Sequence, residues 1–201
     1  ITSDDARLTM LWENLRSELG ITNERTAETL HWKFEERPAG RHLLVVAERS
    51  NTYIELQPLR VIDGGKQMIQ WSERDGWGHY YLYDASGKVL KQITSGEYVT
   101  TGVAGVDETK RVLYFNAAGK EANEDPYFTH FYSVNIDTGA MKLLNPGNAS
   151  HNVALNDKNS FFVDNSSRID SPGEAILYDT AGNKVMDLEK PDVSALLEAG
   201  F

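Results

Sequence analysis

Cysteine is absent from the 201 residues. This excludes disulfides, thiolate catalysis, cysteine-ligated zinc and iron–sulfur clusters, and it leaves the redox compartment open. No apolar run approaches the roughly 18 residues that a membrane span requires, so no membrane insertion is expected. Positive charge is scarce: 20 Lys and Arg stand against 30 Asp and Glu, for a net charge of −10 and a pI near 5.0. Such a surface repels phosphate backbones and anionic lipid, which removes nucleic acid from the expected partners. The start, "ITSDDARL", has neither an initiator Met nor the basic-then-apolar layout of a signal peptide. The chain is therefore expected to begin inside a longer protein, with any address signal upstream.

Catalytic signatures are missing as well. No serine lies in a G-x-S-x-G frame, so there is no nucleophile elbow, and no serine has a candidate base and orienter beside it. His31, His42, His79, His130 and His151 are scattered without H-x-H or H-x-x-x-H pairs, so no metal site is expected. The Asp-Gly turns lack calcium-loop spacing and read as plain β-turns. No cofactor is implied.

What remains is an ordinary globular composition, 40% apolar and 25% charged, in a chain long enough to bury a substantial core. Residues 1–42 read as helical. Ser3 or Asp4 caps a run in which Leu8, Leu11, Trp12, Leu15 and Leu19 recur at helical spacing, and Gly20 stops it. Thr22 opens a second run that Pro38 ends. A DNA-reading helix-turn-helix is the sharper alternative for this hairpin, but acids outweigh bases and nothing else supports it. Glu35-Glu36 could pose as an amine-holding carboxylate pair, although the polar end of a helix explains it more simply.

From about Leu43 to residue 190 the period shortens. Runs such as "QMIQWSE", "YYLYD", "RVLYFN", "FYSVNI", "SFFVDN" and "AILYD" are rich in β-branched and aromatic residues, with turn residues between them. Asp63, Asp107 and Asp157 each precede a strand and lie 44 and 50 residues apart; glycines 87, 139 and 182 mark a second turn, 52 and 43 residues apart. Strand, Asp turn, strand, loop, strand, Gly turn, strand in roughly 45–50 residues is one blade of a β-propeller. Three units fit, 45–97, 98–147 and 148–190. The expected fold is thus mainly β, an incomplete propeller of about three four-stranded antiparallel blades behind a helical N-terminal segment. Closed propellers need about four blades or more, and repeat units bury their faces only against neighbours. Residues 191–201, "PDVSALLEAGF" after Lys190, read as a short exit helix with Pro191 in its first turn. Two sequons, Asn148-Ala149-Ser150 and Asn165-Ser166-Ser167, fit exposed turns.

The densest stretch is "SERDGWGHYYLYD", residues 72–84. Tyr81 and Tyr83 share one face of a strand, Trp77 stands between two glycines, and Arg74 can stack on an aromatic ring or pair with Glu73 or Asp75. The stretch suits a blade corner. Glu73, Arg74, Trp77 and His79 are its candidates for contact with a neighbouring domain.

These phrases, with "VDETKRVLYFNAAGKEANEDPYFTHFYSVNIDTG" and "FVDNSSRID", resemble the propeller of bacterial dipeptidyl-peptidase IV-like serine peptidases of the prolyl oligopeptidase family, from about Val45 to Phe201. The resemblance implies a propeller capping a C-terminal α/β-hydrolase domain that carries the Ser, Asp and His. This chain would then be a non-catalytic scaffold that gates access for peptide substrates losing an N-terminal dipeptide, in a periplasmic or extracellular parent that is a candidate homodimer. The family's amine-binding Glu pair belongs to a different sequence context, so that role does not pass to Glu35-Glu36. Tyr53 is similar in position to an aromatic that lines the family's substrate chamber, while Ile54 stands where an Arg would be. The competing expectation is a non-enzymatic propeller module binding a protein or glycan.

Overall fold

Twelve strands in strict alternation with turns make up almost all of residues 57–200, the part of the chain that the computed structural model describes. The first four are β1 (Arg60–Ile62), β2 (Gln67–Ser72), β3 (His79–Asp84) and β4 (Val89–Gln92). Then come β5 (Val99–Asp107), β6 (Val112–Ala118), β7 (Thr129–Asn135) and β8 (Met141–Leu143). The last are β9 (Ser150–Leu155), β10 (Phe161–Arg168), β11 (Ser171–Asp179) and β12 (Lys184–Glu189), followed by α1 (Ser194–Glu198). They form three four-stranded sheets, each an antiparallel meander in chain order: β1–β4, β5–β8 and β9–β12. This is consistent with successive blades of a partial propeller. The expected helical segment 1–42 lies outside the described residues.

The turns show why the pattern repeats. Between third and fourth strands, a side-chain oxygen at the end of the third strand caps the turn. Asp84 Oδ1 accepts the N–H groups of Ser86 and Lys88 at 2.9 and 3.0 Å, Asn135 Oδ1 those of Asp137 and Thr138 at 3.1 and 2.8 Å, and Asp179 Oδ1 those of Ala181 and Asn183 at 2.9 and 2.8 Å. Each turn then needs a left-handed residue, and Gly87, Gly139 and Gly182 supply it at φ +85°, +79° and +82°. Between first and second strands the device varies. Asp107 Oδ1 accepts Lys110 N–H at 2.9 Å. In the third sheet the acceptor is Asn156, not the neighbouring Asp157: its Oδ1 takes Ser160 N–H at 2.8 Å.

Both faces of β6, an inner strand of the second sheet, are apolar. Leu113, Phe115 and Ala117 of β6 point into a core shared with Ile69 and Trp71 of β2 and Tyr80 and Leu82 of β3. Tyr114, between them, points the other way, into a cluster with Phe131, Leu144 and Phe162. This is the period-two alternation of a doubly buried sheet. β12, by contrast, is exposed along its whole length. α1 begins at Ser194, three residues after Pro191, with Asp192 Oδ1 accepting the Ser194 N–H at 2.9 Å. Asn148 sits in an exposed connection before β9, whereas Asn165 is mid-strand in β10, paired with Asn152 and Ala175, so the second sequon is not in a turn.

Candidate functional site

The β2–β3 hairpin carries the stretch that the sequence singled out. Ser72 faces His79 across the ladder, and the residues between them form the connection. Gly76, at φ +94°, lets the chain reverse, with its N–H on the Glu73 carbonyl at 2.9 Å. Tyr81 and Tyr83 leave β3 on the face away from the second sheet, where they bury with Met68. Arg74 folds back over that face. Its guanidinium carbon lies 4.3 Å from the Tyr81 ring centre and 5.6 Å from that of Tyr83. Nε donates to Ser72 Oγ at 2.9 Å and Nη2 donates to the Tyr83 hydroxyl. A planar cation is thus held over the Tyr81 ring and tied to the Tyr83 hydroxyl.

Asp75 completes the group. Its carboxylate accepts Gln92 Nε2 at 2.5 Å and the Trp77 N–H at 3.3 Å. Burial acts to raise its pKa, but those two donors together with His79 outweigh it and hold the carboxyl below its ordinary value. The Tyr81 phenol moves the opposite way, pushed up first by burial and then by the charge of Asp75. Trp77, at the loop tip, is 44% exposed, and Glu73 is half-buried. The tip therefore presents an indole, a guanidinium and a carboxylate together.

His79 is placed differently from its three companions. It is wholly buried, with Nε2–H donating to the Gly96 carbonyl at 2.9 Å and Nδ1 accepting from the Thr94 hydroxyl at 3.1 Å. Thr94 Oγ1 in turn accepts the Tyr80 N–H at 3.0 Å. With the ring edge-on to Tyr98 at 5.0 Å, His79 braces the connection to the second sheet. Tyr53 and Glu35-Glu36 lie outside the described residues.

Two buried junctions join neighbouring sheets. At the first, Trp71 Nε1 donates to Thr100 Oγ1 at 2.9 Å and to its carbonyl at 3.1 Å, and the Thr100 hydroxyl donates to the Gly78 carbonyl at 2.8 Å. A Cβ on residue 78 would stand 2.4 Å from Trp71 Cζ2, so only glycine fits under the indole. At the second, Phe131 meets Phe162 edge-on at 4.9 Å, and the rings of His130 and His151 lie 4.8 Å apart. His130 Nε2 donates to Glu124 Oε2 at 2.8 Å, and His151 Nδ1 to Asp164 Oδ2 at 2.8 Å. Local spacing gave no sign of this pairing, since the two histidines are 21 positions apart on different sheets.

Neither His–carboxylate pair is part of a serine triad. The second nitrogen of His151 faces the Gly147 carbonyl at 3.1 Å, and that of His130 is buried without a partner. Among the described residues, no cluster of His, Asp and Glu could hold a metal ion, and no helix is long and apolar enough to cross a membrane.

Comparison with known proteins adds a family to this geometry. The family model described as "Dipeptidyl peptidase IV (DPP IV) N-terminal region" matches residues 17–173. Dipeptidyl peptidase 4 of Trichophyton equinum is 27% identical over 117 residues, covering 55% of this chain and 15% of that protein. The probable dipeptidyl peptidase 4 of Aspergillus flavus is 28% identical over 87 residues, covering 43% of this chain and 11% of its own length. Among solved structures, dipeptidyl peptidase 4 of Porphyromonas gingivalis superposes with a TM-score of 0.58 at 24% identity, over 70% of this chain and 19% of that one. A putative dipeptidyl aminopeptidase IV from Bacteroides ovatus gives a TM-score of 0.54 at 22% identity, over 66% and 21%. These two likenesses show a shared fold. The chain spans only about a seventh of the length of the Trichophyton relative.

Proposed function

The chain belongs to the family of dipeptidyl peptidase IV N-terminal regions, and from that membership we propose that it is the propeller portion of a serine exopeptidase that releases N-terminal dipeptides. In this reading the chain performs no chemistry. It supports and gates a C-terminal α/β-hydrolase domain of the parent protein, which carries the triad and acts outside the cytoplasm, in the periplasm or beyond the cell. The observation that carries the reading is the family match across residues 17–173, which takes in the first two four-stranded meanders and the first half of the third.

Within this reading the hairpin tip has a job. Glu73, Arg74 and Trp77 meet the hydrolase domain, and His79 holds the strand beneath them. Two rings and a guanidinium locked in place lose little side-chain freedom on docking, which favours them as anchors. Tyr53 lines the substrate chamber.

Hydrolysis of Gly-Pro and Ala-Pro chromogenic dipeptides tests the division of labour. The purified 201-residue chain is expected to give no turnover, and the parent protein is expected to cleave both. Turnover by the chain alone that survives further purification, or a parent inert towards both, would overturn the proposal.

A further inference from the structure

The junction between the second and third sheets holds one proton more than a neutral imidazole beside a carboxylate would carry. The Gly147 carbonyl can only accept, so His151 Nε2 carries a hydrogen. Asn145 Nδ2 donates to Asp164 Oδ1 at 3.1 Å, while Asn145 Oδ1 accepts the Phe131 N–H at 2.8 Å, which fixes the amide's orientation. The remaining contact, His151 Nδ1 to Asp164 Oδ2 at 2.8 Å, holds one further proton between ring and carboxyl. Both nitrogens of His151 therefore face acceptors, which suits an imidazolium on a carboxylate. The side chains of His151 and Asp164 are 4% and 2% exposed, so this pair is sealed from water.

The surroundings are fully specified. His130 of β7 faces His151 ring to ring, with its own Nε2–H on Glu124 and its Nδ1 buried without an acceptor. Glu124, from the β6–β7 connection, is the second acid acting on His151, and Tyr178 of β11 feels the charge of Asp164. Arg168 of β10 donates to the Asn148 carbonyl and pairs with Asp170, at the edge of the group.

We propose that the shared proton of His151 and Asp164 is a latch on which the docking of the third sheet against the second depends, so that the junction tightens when the pair is protonated and loosens when the proton leaves. His151 and Asp164 both belong to the third sheet, and the connection to the second runs through Asn145, whose amide joins Asp164 to the Phe131 N–H of β7. Losing the proton leaves the buried Asp164 carboxylate with one donor fewer, facing a bare Nδ1, because the remaining ring hydrogen stays on Nε2 against the Gly147 carbonyl. Burial acts to lower the His151 pKa, but the Asp164 hydrogen bond and charge, the Gly147 carbonyl and Glu124 outweigh it, and the pKa stands above its ordinary value. A histidine whose folded pKa is raised contributes its full stabilisation below the unfolded value of about 6.5 and loses it as pH rises through the folded value.

Long-range nitrogen-detected NMR of the histidine rings in the full 201-residue chain, from pH 5.5 to 9, tests this without any mutation. At pH 5.5 His151 is expected to show two protonated nitrogens, and to titrate above 6.5. In the same samples, amide exchange of Phe131, corrected for the intrinsic base-catalysed rise, is expected to accelerate across that titration by about tenfold for each unit of pKa elevation. Asp164→Asn should abolish the raised titration. A neutral His151 tautomer at pH 5.5, titration at or below 6.5, or corrected Phe131 exchange that is flat across the titration would each overturn the latch.

Discussion

The two junctions between neighbouring sheets meet the same requirement with opposite chemistry. The first is neutral: an indole over a glycine, a threonine hydroxyl between them, and Phe115 edge-on to Tyr80 at 5.6 Å and stacked on Tyr132 at 5.7 Å. The second buries two imidazoles and a carboxylate beside a smaller aromatic cluster. Burial of apolar area gives non-directional stability that is insensitive to pH. A buried ionic network gives a defined geometry, but only while each member keeps its partner, and removing one member costs more than the pair is worth.

That contrast can be broken from either side. Asp164→Ala strands a buried imidazolium and an amide donor, and should cost about 3–5 kcal/mol in urea unfolding at pH 6. Its cost should shrink as pH rises through the His151 titration, because the wild type loses the same interaction there. Phe115→Ala, which empties a fully buried aromatic position at the first junction, should cost a similar ~3–5 kcal/mol on both sides of that titration. If the two variants share one pH profile, the contrast between junctions is wrong. Gly78→Ala drives a methyl group into the Trp71 ring and should cost about 1–3 kcal/mol, with a shift in tryptophan fluorescence as the indole is displaced. Thr100→Val keeps the shape but removes the hydroxyl between Trp71 and Gly78, for about 1 kcal/mol, again independent of pH. Arg74→Ala lies outside both junctions. Its effect on stability should be smallest, about 0.5–1 kcal/mol, since the lost cation–π contact is at an exposed tip.

Much of the fold was legible because each sheet repeats a local rule. The glycines at 87, 139 and 182 each occupy the left-handed position of a third turn, and Tyr81 and Tyr83 do share a face with Leu82 on the other. The stacking of Arg74 on an aromatic was also foreseeable, since loop and strand are adjacent in the chain. Asp157 does mark the turn between the first and second strands of the third sheet, although the side chain that caps it is the neighbouring Asn156. His79 read as a surface candidate because it lies in a polar-looking run. Its burial follows from Thr94 and Gly96, residues of the next connection, which bond both ring nitrogens.

Period-two alternation, turn chemistry and repeat spacing settle which residues are strands, where the chain reverses and which side chains share a face, because each of these depends on neighbours a few positions away. The partners across the gaps are another matter. Trp71 with Thr100, and His130 with His151, come from different sheets, and their meeting depends on how those sheets stack and in what register. No local pattern encodes that stacking. It follows from the summed packing of both faces at once, and it alone turns two isolated histidines into a shared buried site.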